Sequence, residues 1–115
     1  MKAEDGNCAV IAVSMISAVP IPFVQKAAEK YPSYDGHDMS IRDCIQLATE
    51  IVGHSFRRMI DPRGCNVNEA AREVHLGLVF AEGKHGKSHV MPVVDGVAYN
   101  KCGWGKEPAG LLVEF

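Results

Sequence analysis

The sequence predicts an α+β fold in which N-terminal helices pack on a C-terminal antiparallel sheet. Three observations carry this. Apolar, helix-compatible segments fill the first half of the chain and short β-prone runs fill the second, a segregation that argues against βαβ winding. Asp95-Gly96 stands between two β-prone runs, the pair that tight hairpin turns favour. The 115 residues (12.5 kDa) suit a single domain over 1–115, and 47% apolar with 23% charged residues allows a core without disulfides or a structural metal.

Each element has its own signal. Asn7 to Val19 is nearly continuously apolar and reads as a buried helix, with Asp5, Gly6 and Asn7 as turn and cap residues and Pro20 as its stop. A second helix runs from about Pro22 to Lys30, with Phe23, Val24, Ala27 and Ala28 as its apolar stripe. Tyr31 to Asp38 is a loop. Ser40 caps a third helix over Ile41 to Val52; Ile41, Cys44, Ile45, Ala48, Ile51 and Val52 mark its core face, and Gly53 ends it.

The second half reads as strands around one short helix. His54 to Ile60 is a short strand, Asp61 to Gly64 a turn, and Asn66 or Asn68 caps a helix reaching about Val74. Leu76 to Ala81 is a strand and Glu82 to Lys87 a turn. Ser88 to Val94 and Val97 to Cys102 form a hairpin, and Leu111 to Phe115 is the last strand.

Composition excludes several classes. A net charge of −2 and a pI near 6.2 give no broad basic surface, so a nucleic-acid partner is not expected. The longest apolar run, Ala9 to Phe23, is interrupted by Ser14, Ser17, Pro20 and Pro22, so no membrane span is expected. The N-terminus lacks a secretion-signal pattern; a cytoplasmic location follows, with Cys8, Cys44, Cys65 and Cys102 reduced. These cysteines form no Cys-x-x-Cys pair, and no metal is expected. His37 between Asp35 and Asp38 reads as a solvated loop, and Arg57, Arg58 and Arg63 as a solvated basic edge.

Three residues carry chemistry. Cys8 lies at a predicted helix start, where backbone N–H groups and the helix dipole favour the thiolate. His89 opens a strand after a glycine-containing turn and is the candidate base. If Val94 pairs with Val97, then Val93 faces Ala98, Met91 faces Asn100 and His89 faces Cys102. Strand alternation then puts His89, Met91, Ala98, Asn100 and Cys102 on one face, with Asn100 diagonal to His89 and able to fix its tautomer. Asp95 competes for that third role from the turn. In the tightest turn Pro92 occupies a hydrogen-bonded pair without a donor, which a wider loop would relieve. Cys102 is the second choice as nucleophile. Cys44 reads as core and Cys65 as a loop thiol.

The order of Cys at a helix start, His on a strand and Asn or Asp on the next strand resembles papain-like cysteine peptidases. The run from Ser88 to Asn100 resembles the His-hairpin of compact members, including the bacteriocin-leader-processing type and small bacterial and phage relatives. Asp5-Gly6-Asn7-Cys8 resembles the motif of ovarian-tumour-type deubiquitinases. The resemblance implies a minimal papain-like fold and cleavage of a peptide or isopeptide bond through Cys8, His89 and Asn100, on a peptide or protein substrate and with no cofactor. It also implies that Trp104 shields the Asn100–His89 contact. The oxyanion-hole Gln that usually precedes the nucleophile is absent. By the ovarian-tumour analogy, Asp5 orients the loop, and the Cys8 N–H and the Asn7 side chain donate. Two rivals share the fold: a non-catalytic binding or structural module, and a transferase or amidase using the same triad.

Overall fold

The structure, a computed structural model, describes residues 8–36, 39–82, 88–99 and 106–115. It is mixed α+β with an antiparallel sheet, and the chain divides into two compact units, Met1–His54 and Ser55–Phe115.

The first unit holds α1 (Cys8–Ser17), α2 (Ile21–Ala28) and α3 (Ile41–Val52). Ala9, Val10, Ala12, Val13 and Ile16 of α1 are buried, the dense apolar pattern of a core helix. The helix ends two residues before Val19. There Ala18 turns to φ 61°, the Ser14 Oγ donates to the Val19 carbonyl (2.6 Å), and the Val19 N–H donates to the Ser17 Oγ (3.2 Å). Pro20 caps α2, whose buried stripe narrows to Val24 and Ala28. Phe23, expected on that stripe, is 68% exposed.

α3 has the bounds and caps its sequence predicts, but its core face shifts: Leu47 is fully buried, while Ile41, Ile51 and Val52 are only half-buried. The Ser40 side chain accepts from the Asp43 N–H (3.1 Å), and Gly53 ends the helix in a left-handed conformation. Cys44, Ile45, Leu47 and Ala48 are buried. The preceding loop is tied down by the Ser33 Oγ, which donates to Asp43 (2.6 Å), and by the Tyr31 hydroxyl, which donates to Glu50 (3.0 Å). Lys30 pairs with the same carboxylate at 2.8 Å and, with Tyr31, holds Glu50 below its usual range.

The second unit is a five-stranded sheet with one helix. Its elements are β1 (Arg58–Ile60), α4 (Val67–Ala71), β2 (Leu76–Glu82), β3 (Ser88–Val94), β4 (Val97–Ala98) and β5 (Ala109–Glu114), and the strand order is β1-β5-β2-β3-β4. Asn66 caps α4 in a reciprocal box with Glu69. Val67, Ala70, Ala71 and Val74 pack with Val79, Ala81, Met91, Val93 and Leu112 in one core cluster. On the alternate strand positions Leu78, Phe80, Val90 and Val113 are buried as well.

Next to the turn the hairpin has the predicted register, Val94 pairing with Val97 and Val93 with Ala98; the predicted pairs Met91–Asn100 and His89–Cys102 lie outside the described residues. Asp95 (φ 53°) and Gly96 (φ 77°) both take positive φ, the geometry whose twist matches the flanking strands. The loop therefore stays at two residues despite Pro92. That proline contributes only its carbonyl, accepting from the Tyr99 N–H at 3.0 Å. β1 is shorter than its expected span, because pairing with β5 starts at Arg58↔Glu114.

Gly77 sits where β2 passes β5 so closely that a Cβ would collide with the Val113 carbonyl. Gly77→Ala should cost about 2 kcal/mol or more, read by urea denaturation, since a backbone clash cannot relax by rotamer change. Burial, then Glu50, pushes the Tyr31 hydroxyl up to about 12 from the usual 10.0. Its stabilising effect is therefore complete below pH 10 and lost as pH rises toward 12. Ultraviolet titration of native protein should show a late-ionising tyrosine that Tyr31→Phe removes.

Candidate functional site

Cys8 is the first residue of α1, and its side chain is half-buried. The first turn of α1 carries no acidic side chain, so the partial positive charge of the helix start acts on sulfur unopposed from that turn. A second thiol lies in the same unit, on α3. Burial pushes the Cys44 thiol far up, and the Cys8 charge adds to the effect. Cys44 is thus held protonated in the core, as its place on the helical stripe predicts.

His89 is the second residue of β3, opposite Ala81 on β2, and is half-buried. It falls on the same strand positions as Met91 and Val93, which join the core cluster under α4. Its cross-strand partner Ala81 is a buried member of the same cluster, so the imidazole shares the face of the sheet that the cluster covers. Cys8 belongs to the first unit and His89 to the second. Asp5, Asn7, Asn100, Cys102 and Trp104 lie outside the described residues, as do His37 and His85.

Asp95 is not brought to His89. Six residues of extended strand, about 20 Å, separate them along β3. Asp95 instead faces His75, with its carboxylate 3.1 Å from Nδ1, and its N–H donates to the His75 carbonyl at 2.6 Å.

The basic edge is neutralised locally. Arg58 Nε meets Glu114 at 2.7 Å, and its Nη2 donates to the Glu73 carbonyl at 3.0 Å. Arg58 holds the Glu114 carboxyl below its usual range. Arg63 pairs with Asp61 at 3.1 Å. Among the described residues no group of His, Cys, Asp and Glu could hold a metal, and no helix is long and apolar enough to cross a membrane.

One feature of the second unit has no counterpart in the sequence reading. A groove of about 870 Å³ opens beside Cys65, lined also by Asp61, Arg63, Lys106 and Gly110. Cys65 is half-buried and packs against the α4–sheet core. Its flanking Gly64 and Asn66 announce a turn and a helix cap, not a groove, because the groove arises from strand pairing far along the chain.

Comparison with family models, curated proteins and solved structures finds no match to the chain.

Iodoacetamide applied to the native protein at pH 8 should label Cys8 and Cys65 and spare Cys44 until the protein is denatured. Peptide mass spectrometry reads the order. Early labelling of Cys44 would show that the helical core is looser than described here.

Proposed function

We propose that the chain is a cysteine hydrolase of papain-like architecture that cleaves a peptide or isopeptide bond. The observation that supports it best is a half-buried thiol on the first residue of a helix with no acidic side chain in its first turn. The thiolate of Cys8 attacks the substrate carbonyl, and backbone N–H groups at the start of α1 receive the developing oxyanion. His89 takes the thiol proton and returns it to the leaving amine. Water, deprotonated by His89, then releases the acyl group and restores the thiol. Asn100 orients His89. In this reading Asp5 orients the oxyanion loop, the Asn7 side chain adds a donor, and Trp104 shields the Asn100–His89 contact.

The reading places the chain in the cytoplasm, where thiols stay reduced. The reading uses no metal or organic cofactor, and its substrate is a peptide or protein. Sequence order and the setting of each residue within its own unit support the pairing of Cys8 with His89. Asn100 is preferred to Asp95 because Asp95 is engaged by His75 at the far end of β3.

A peptidyl vinyl sulfone, which adds covalently to an activated thiolate, tests this directly. Mass spectrometry should place the adduct on Cys8, and Cys8→Ala should abolish it. His89→Ala should slow addition by about 10²-fold or more, the usual contribution of a positioned base. Asn100→Ala should slow it too, and Asp95→Ala should leave it unchanged. An adduct on Cys65 alone, or equal rates with and without His89, would overturn the assignment.

A further inference from the structure

We draw no further inference here: the strongest candidate, the exposed patch on α2 around Phe23 and Ala27, is an unpartnered helix face, and nothing in the structure shows what covers it.

Discussion

The seven-pair register between β2 and β3 is the constraint on which the second unit depends. It runs without interruption from Leu76↔Val94 to Glu82↔Ser88. Because side chains alternate, a slip of one residue would send Met91 and Val93 away from α4 and carry His89 to the other face with them. β2 is itself anchored on its other side by β5, so it cannot follow such a slip of β3 without breaking that ladder as well. The Asp95-Gly96 turn, with its two positive φ values, sets the next pairing, β3 with β4.

Each half of the proposed chemistry is set by ordinary packing. The apolar face of α1 fixes its place in the helical unit, and that leaves its first residue, a cysteine, half-buried at the positive end of the helix. The same packing makes Cys44 inert, because a fully buried thiol loses far more by ionising than a helix start can return. His89 lies two residues along β3 from Met91 and so inherits its face, but it is half-buried where Met91 and Val93 are fully buried. Asp95 illustrates the opposite case. It has the right chemistry to orient an imidazole, and the turn presents it to His75.

Local signals were the legible part of the fold. Ser40 and Gly53 bound α3, Asn66, one of two candidate caps, starts α4, and Asp95-Gly96 sets the hairpin register to Val93↔Ala98. Each depends on a few neighbouring residues. What required the folded chain was non-local. The placement of β5 between β1 and β2, the demand for glycine at position 77 and the groove beside Cys65 all arise from strands whose partners lie tens of residues away. Phe23 shows a second limit: its spacing fits the apolar stripe of α2, yet the stripe buries only Val24 and Ala28. At the site, the setting of Cys8 at a helix start and of His89 on a strand was readable because each depends on local structure. Asn100 ranked above Asp95 already in the sequence, because Asp95 sits in the turn at the far end of the strand from His89.

The central claim is that the Cys8 thiol is activated through His89. The most direct measurement is the pH dependence of the Cys8 alkylation rate, followed by peptide mass spectrometry in the wild type and in His89→Ala. The account predicts an inflection well below the ordinary thiol value of about 8.5, moving up toward that value when the imidazole is removed. An inflection near 8.5 in both proteins would contradict it and leave Cys8 a structural cysteine.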